Sequence, residues 1–263
     1  MAQDGGNKAP LRFSFAYRFL LPLGFPILIL ILWQAASDHG FLRPSLLPAP
    51  LAVVLALGDL LASGELWEHW RISFLRVVQG FLAGSLLGVT LGFTLGLSPR
   101  IERVLMLLTG FLRPIPTIAW VPMLILWMGI GESSKITVIA VGSFWPVLLN
   151  TLQGVRGTDR GYLEVARVLQ KDRGTILLRV ILPSALPSVL TGFRIAMGIA
   201  WASVVGAELI AASSGVGYLI MYAREVSQPD VMLVGVAVIG LTGLLIDALF
   251  LLLERRLLRW NEP

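Results

Sequence analysis

Long uncharged runs alternate with short charged segments along the chain, and this pattern predicts membrane-spanning helices. Residues 19–37 and 77–99 contain no Asp, Glu, Lys or Arg, and an apolar run of about 20 residues is long enough to cross a bilayer as a helix. Comparable apolar runs occupy residues 101–131, 135–155, 189–212 and 231–253. We therefore predict an all-α polytopic membrane protein with six transmembrane helices.

Two of these runs are interrupted. Pro114 and Pro116 lie inside the third run, and proline lacks the N–H that a continuous helix needs, so the helix must kink or break there. The fifth run contains Arg194 and Glu208, and after it we expect residues 213–230 to form an external loop with a re-entrant or interfacial helix. The first run could instead be a cleaved signal peptide, but its length and the residues at 34–36 disfavour cleavage.

The second run carries a glycine at every fourth position. Because this spacing keeps one helix face free of side chains, another helix can approach it backbone to backbone. Membrane helices are rich in glycine in general, but an unbroken register favours a packing face over chance. The predicted packing glycines are Gly80, Gly84, Gly88, Gly92 and Gly96.

A polar stretch at residues 158–187 separates the fourth and fifth predicted spans. We expect a short amphipathic helix that is capped by Thr158 and ended by Gly174. On it, Glu164 and Arg167 lie one turn apart and could form a weak ion pair. Such a segment is either an ordinary solvated helix or a docking element for another protein.

A second short helix should follow Gly174 and continue to Leu182. Pro183 comes next in the chain, and proline disfavours the helical conformation in the residue before it. The polar stretch is therefore predicted to form a helical hairpin.

The composition agrees with an integral membrane protein. Of 263 residues, 56% are hydrophobic and 14% are charged, and the mean hydropathy is +0.80; soluble domains carry about 25% charged residues. The net charge of +5 does not indicate nucleic acid, because the basic residues flank the apolar runs. The absence of cysteine excludes disulfides and thiol catalysis. His39 and His69 have no metal-ligand spacing, so we expect no metal site and no catalytic residues.

The distribution of basic residues predicts the topology. Fourteen of the 21 Lys and Arg residues lie in the N-terminal flank, at 100–103, at 156–179 and in the C-terminal tail. The positive-inside rule therefore places both termini and the polar hairpin in the cytoplasm. We expect a cytoplasmic flank at residues 1–18 and one transmembrane domain at 19–260, with the polar loop at 156–187 facing the cytoplasm.

The polar stretch resembles the "EAA" coupling loop of ABC-importer permeases. Residues at the matching positions are Glu164, Val165, Ala166, Arg167, Leu182 and Pro183. Val165, Gln170 and Val180 depart from the family pattern, which usually has alanine, glycine and isoleucine there. In that family the loop inserts into a groove on the ATPase subunit, so the resemblance implies that these six residues couple ATP hydrolysis to transport.

The resemblance extends over nearly the whole chain. The segments 64–67, 112–116, 125–133, 214–219 and 223–225 look like the branch of these permeases that serves small oxyanions, and 159–161, 223–225 and 253–261 most resemble the aliphatic-sulfonate permease subunit. This implies a MetI-like (type I importer) fold in the bacterial inner membrane and a translocation path for an aliphatic sulfonate, with taurine, nitrate and bicarbonate as alternatives.

The same resemblance implies a set of partners. It predicts a homodimer of permease chains, two ATPase subunits that hold ATP and Mg²⁺, and an external substrate-binding protein. This chain would bind no cofactor itself and would contact lipid rather than nucleic acid. A secondary transporter is a remoter alternative, since such proteins usually contain both repeat halves in one chain.

Charges inside the predicted spans supply candidate functional residues. Arg113 would lie near the middle of the bilayer; it could be held by the broken helix around it, or it could contact a passing sulfonate with Trp120 and Trp127 beside it. Glu208 should lie near the outer mouth, in a gate or a structural pair.

A second pair of charges lies at matched depth. Arg194 and Asp247 are counted at similar distances from the cytoplasmic ends of the fifth and sixth spans. We predict a structural ion pair between them, with snorkelling of Arg194 as the alternative.

Overall fold

The computed structural model describes residues 12–258, with side chains described from residue 24 onward, except that of Met106. The part of the chain so described contains helices and no strand, which confirms the all-α prediction. The elements are α1 Arg12–Asp38, α2 Pro50–Ala62, α3 Glu65–Leu97, α4 Pro99–Leu112, a 3₁₀ turn Thr117–Trp120, α5 Val121–Met128, α6 Glu132–Arg156, α7 Arg160–Val168, α8 Arg173–Ile176, a π turn Leu177–Ile181, α9 Leu182–Ala211, α10 Val216–Glu225 and α11 Pro229–Leu257. Residues 1–11 of the predicted flank and the chain beyond 258 lie outside the described residues.

Four of the six predicted spans correspond to helices that are long and apolar enough to cross a membrane among the described residues. They are α3, α6, the continuous run Arg173–Ala211 and α11. The first predicted span lies in α1, whose described apolar part is Gly24–Asp38. The third is divided between α4 and the short segment Thr117–Met128, so it does not form one long helix.

The third span breaks at its prolines, as the sequence predicts. Helix α4 ends at Leu112, whose carbonyl accepts a hydrogen bond from Ile115 at 3.2 Å, and the next turn begins at Thr117. Pro114 and Pro116 have no N–H to continue the helical ladder. Helices α3 and α6 nevertheless run parallel to each other. The segment between them therefore carries the chain from the end of α3 back to the opposite end of the bundle, where α6 begins.

The glycine face of α3 forms this parallel contact. A Cβ atom at Gly88 would lie 2.9 Å from Val147 Cβ, and one at Gly96 would lie 2.6 Å from a Val155 methyl. All five ladder glycines meet α6 in this way, in increasing register from Ile139 to Val155. Helix α9 then packs antiparallel on the other side of α6, where Gly154 faces Ala185 and Gly142 faces Ser203. The core of the bundle therefore consists of α3, α6 and α9.

The expected helix end at Leu182–Pro183 is wrong. Helix α8, the π turn and α9 form one helical run, Arg173–Ala211. In the π turn the Leu182 N–H donates to the carbonyl of Leu177, five residues back, and Pro183 follows at the first turn of α9. A proline is tolerated there because its position needs no N–H donor.

The two ends of the bundle carry different segments of the chain. We call the end that carries residues 157–181 the hairpin end; α3 and α6 finish there. We call the opposite end, with the first turns of α3 and α6 and the last turn of α9, the distal end. Helix α10 lies at the distal end and packs with α11, through buried Leu219 and Val234.

Candidate functional site

The first helix of the hairpin, α7, begins one residue later than predicted. Its N-cap is Asp159, whose Oδ1 accepts a hydrogen bond from Gly161 N at 2.7 Å. Thr158 is buried, and its hydroxyl has no hydrogen-bond partner among the described residues. The predicted Thr158 cap is therefore wrong, because the adjacent carboxylate satisfies the first turn instead.

Helix α7 ends at a left-handed residue that is not glycine. Gln170 has φ of 52°, Gln170 N donates to Arg167 O at 2.9 Å, and Lys171 N donates to Ala166 O at 3.0 Å. These two bonds form a Schellman motif, which usually places glycine at this position. Gln170 thus closes a turn at which glycine is usual.

The predicted end at Gly174 is wrong, because Gly174 lies within α8. Asp172 caps that helix, accepting hydrogen bonds from the Thr175 hydroxyl at 2.5 Å and the Thr175 N–H at 2.9 Å. These bonds stabilise the ionised form and lower the pKa of Asp172. Two side-chain caps and a Schellman turn therefore stabilise the turns of the hairpin.

The exposed face of α7 combines charge with apolar surface. Glu164 and Arg167 are both exposed and form no ion pair with each other in the described structure, so that expected contact is absent. Val165 and Val168 are 59% and 81% exposed, whereas Ala166 is buried against the bundle. Leu182 is 40% exposed, and Pro183 lines a groove of about 460 Å³ that also borders Val165 and Ala166. Three of the six matching residues, Val165, Ala166 and Pro183, therefore border one open, largely apolar groove, and the other three do not line it.

Further into the bundle, Arg194 and Asp247 are in direct contact. Arg194 donates from Nε to Asp247 Oδ1 at 2.6 Å and from Nη2 to Oδ2 at 2.9 Å. Glu254 lies 4.0 Å from the same guanidinium. This bidentate geometry joins α9 to α11, and it gives a direct partner to a cation that would otherwise have to snorkel.

The three residues of the predicted substrate path do not line one cavity. Arg113 caps α4 and is exposed, with no ion pair among the described residues. Trp120 lines an apolar groove of about 390 Å³ with Leu112 and Phe144, and neither Arg113 nor Trp127 lines it. Trp127 is 62% exposed. Arg113 is thus available to a ligand or to a second chain, but its role stays a prediction.

At the distal end, Glu208 occupies the centre of a buried polar cluster. Its residue is 1% exposed, and its carboxylate accepts hydrogen bonds from Ser73 Oγ at 2.8 and 2.9 Å, from Arg76 Nη1 at 2.8 Å and from Gly217 N at 2.9 Å. A buried carboxylate is stable only when it is paired and hydrogen-bonded in this manner. Of the two roles predicted for Glu208, the structural pair is therefore the one for which the geometry supplies a partner.

Arg76 connects this carboxylate to a second one. It is 3% exposed, and it donates from Nε and Nη2 to the two oxygens of Glu132, both at 2.6 Å. Lys135 donates to Glu132 Oε1 at 3.1 Å from the next turn of α6. The cluster thus contains two cations and two anions from three helices, and its formal charge is zero.

The same cluster fixes the loop between α9 and α10. Three consecutive N–H groups donate inward: Gly215 to His69 Nδ1 at 3.1 Å, Val216 to Ser73 Oγ at 2.9 Å and Gly217 to Glu208. The carbonyl of Ser214 accepts from Arg76 Nη1 at 2.7 Å. Gly215 has φ of 113°, and a Cβ there would collide with the Glu208 carboxyl group. The loop is therefore held by the core of the bundle.

The chain is similar to known membrane transport proteins over most of its length. Residues 80–259 match the family described as "Binding-protein-dependent transport system inner membrane component". The chain is 43% identical over 246 residues to a Bacillus subtilis protein named as an aliphatic sulfonates transport permease, covering 94% of this chain and 89% of that one. It is 47% identical over 240 residues to an Escherichia coli protein of the same name, covering 91% of each chain.

More distant relatives and solved structures extend the comparison. The taurine transport system permease protein of Escherichia coli is 34% identical over 255 residues, covering 95% of this chain and 93% of that one. The structure of an amino acid ABC transporter matches with a TM-score of 0.64 at 16% identity, covering 76% of this chain and 97% of that one. Inward facing structures of the MetNI methionine ABC transporter include one with a TM-score of 0.59 at 20% identity, covering 74% and 95%. These structures support the MetI-like fold.

Proposed function

Because the chain belongs to the family of binding-protein-dependent transport system inner membrane components, we propose that it forms the membrane path of an ATP-driven importer of aliphatic sulfonates. It is a permease subunit of an ABC transporter, and members of this family work with an ATPase and a substrate-binding protein. The assignment of an aliphatic sulfonate as substrate rests on the sequence identity of 43% and 47% to two relatives named for aliphatic sulfonates. Relatives named for taurine and bicarbonate are 34% and 35% identical.

The hairpin end is the surface that meets the ATPase in this proposal. Its support is the exposed face of α7, the groove of about 460 Å³ beside it, and the rigid caps that fix both. Glu164 and Arg167 have no partner on their own helix, so their charges are free to pair with another protein. An ATPase in the cytoplasm then sets the hairpin end and both termini on the cytoplasmic side, in agreement with the positive-inside rule.

The assembly that we propose contains two copies of this chain, two ATPase subunits that bind ATP and Mg²⁺, and an external binding protein. No group of three or more metal-ligating side chains occurs within residues 24–258. In this chain itself we assign no cofactor and no catalysis. Substrate would enter from the distal end and leave at the hairpin end.

Reconstitution tests the proposal directly. The chain, its ATPase and its binding protein would be placed in proteoliposomes with labelled ethanesulfonate, taurine, nitrate or bicarbonate as the probe. We expect ATP-dependent uptake of ethanesulfonate and weaker uptake of the others, and none with an ATPase variant that cannot hydrolyse ATP. Preferred uptake of taurine, nitrate or bicarbonate would replace the sulfonate assignment, and uptake without ATP hydrolysis would indicate a secondary transporter.

A further inference from the structure

The distal end contains a cavity that is lined neither by the proposed coupling residues nor by Glu208. Its volume is about 490 Å³, and it lies between α5, α6 and the last turn of α9. Three isoleucines, Ile125, Ile130 and Ile210, form apolar walls, and Lys135 and Ser213 are the polar residues of its lining. Binding sites for small organic molecules commonly have this size and this mixture of apolar walls with few polar groups.

Lys135 is the charged residue of this cavity lining. The residue is 5% exposed, and among the described residues its ammonium has one hydrogen-bond acceptor, Glu132 Oε1 at 3.1 Å. An ammonium carries three N–H donors, and burying a charged donor without an acceptor is costly. Oxygen atoms of water or of a ligand in the cavity would satisfy the remaining two.

The neighbouring carboxylates neutralise the positive charge of Lys135 less than they neutralise that of Arg76. Glu208 is bonded to Arg76, Ser73 and Gly217, and it does not line the cavity. Glu132 gives both oxygens to Arg76 at 2.6 Å and shares one of them with Lys135. The carboxylates therefore act mainly on Arg76, and Lys135 keeps positive character toward the cavity.

We propose that this cavity is an entry site for the transported sulfonate, with the sulfonate oxygens on the Lys135 ammonium and the alkyl chain against Ile125, Ile130 and Ile210. This inference rests on the proposed function for its ligand. A sulfonate group offers three acceptor oxygens to the two unmatched donors, and its apolar tail suits the isoleucine walls better than water does. Glu132 repels the same anion, which keeps the complex weak enough for the substrate to move on.

The cysteine-free sequence allows the site to be tested without any transport assay. A single cysteine at the cavity rim, Ile130→Cys, replaces a residue that is 77% exposed. In the purified full chain, its modification rate would be measured with two methanethiosulfonate reagents, one bearing an ethylsulfonate and the other an ethyltrimethylammonium group. The anionic-to-cationic rate ratio reports the local electrostatic potential, because intrinsic reagent reactivity cancels when variants are compared.

With Lys135 present, we expect a rate ratio about tenfold higher than in the Lys135→Met background, because one nearby charge is removed. Lys135→Arg should restore the high ratio. Phe41→Cys, which is 80% exposed on the loop after α1 and does not line the cavity, is the control and should not respond to Lys135→Met. Ethanesulfonate in solution should slow the modification of Ile130→Cys, and ethyltrimethylammonium should not.

The outcomes separate this inference from the proposed function. An unchanged rate ratio in Lys135→Met, or a lack of protection by ethanesulfonate, would overturn the entry site even if reconstituted uptake of ethanesulfonate is normal. Failure of uptake by the unmodified complex would instead overturn the substrate assignment. If Lys135→Met does not fold, protection of Ile130→Cys by ethanesulfonate still tests the site, because that measurement needs no change at Lys135, and a lack of protection overturns the proposal.

Discussion

The buried pair Arg76–Glu208 should be strongly coupled in stability. Arg76→Met would leave the Glu208 carboxylate at 1% exposure without its cation, and removing one partner of a buried pair costs about 3–5 kcal/mol. Glu208→Met should cost less, roughly 2–3 kcal/mol, because Arg76 keeps both bonds to Glu132 at 2.6 Å.

The double variant isolates the interaction. In Arg76→Met/Glu208→Met no buried charge is left from the pair, and Glu132, whose side chain is 57% exposed, keeps Lys135 as a partner at 3.1 Å. The remaining losses come from the Gly217 N–H and the Ser73 hydroxyl, which no longer have Glu208 as acceptor, and from the Ser214 carbonyl, which no longer has Arg76 as donor. Each of these losses also occurs in one of the single variants, so it cancels in the cycle. We therefore expect the double variant to be more stable than the sum of the single losses by about 2 kcal/mol or more.

Two measurements check this cycle on the purified chain in detergent. Denaturant titration gives the free energies of unfolding, and amide hydrogen exchange at residues 215–217 reports whether the loop loosens. The expected coupling would appear in both. Strict additivity of the two single losses would refute the reasoning, since it would mean that water already satisfies these charges; Arg224→Met, at an exposed site on α10, should leave both measurements unchanged.

Four further predictions concern the other sites. Gly88→Leu should destabilise the bundle by about 3 kcal/mol or prevent its assembly, because a Cβ there already meets Val147 at 2.9 Å; detergent size-exclusion and thermal melting measure this, and Gly240→Leu, which faces open space, is the control that should stay unaffected. Glu164→Arg should reduce ATPase binding and uptake by about tenfold or more with the membrane domain folded, and normal uptake would exclude a coupling role. Arg113→Gln should keep assembly and basal ATP hydrolysis while ethanesulfonate uptake falls, whereas normal transport or failed assembly would remove it from the path. Gln170→Gly should stabilise the hairpin by about 1 kcal/mol because φ of 52° suits glycine, seen as slower hydrogen exchange in α7; Gln170→Ala retains the Cβ and should change little.

Much of the fold follows from local sequence signals. The long apolar runs locate α3, α6, α9 and α11 because crossing a bilayer requires length and apolarity together. The break after Leu112 follows from two missing N–H donors, and the α3–α6 contact follows from the spacing of the glycines. Each of these features depends on a few neighbouring residues, so the sequence alone contains the information.

The distal cluster could not be predicted in the same way. Arg76 lies directly before the uncharged run that begins at residue 77, so it has the sequence signature of a residue at the membrane surface. Its three partners, Glu132, Glu208 and Ser214, are 56, 132 and 138 residues away, and nothing local indicates that the bundle brings them together. A usable signal was the presence of Glu208 inside an apolar run, because a buried carboxylate requires a cation somewhere in the fold.

The incorrect predictions for the hairpin have a different cause, which is that nearby residues compete for one structural role. Thr158 and Asp159 could both cap α7, and Gln170 and Gly174 could both end it; in each case the hydrogen bonds of the folded turn decide. The run Arg173–Ala211 then connects the hairpin to the distal cluster without a break. One helical run therefore joins the hairpin to Glu208. The regular hydrogen-bond ladder of that run is interrupted at the π turn Leu177–Ile181 and at Pro187.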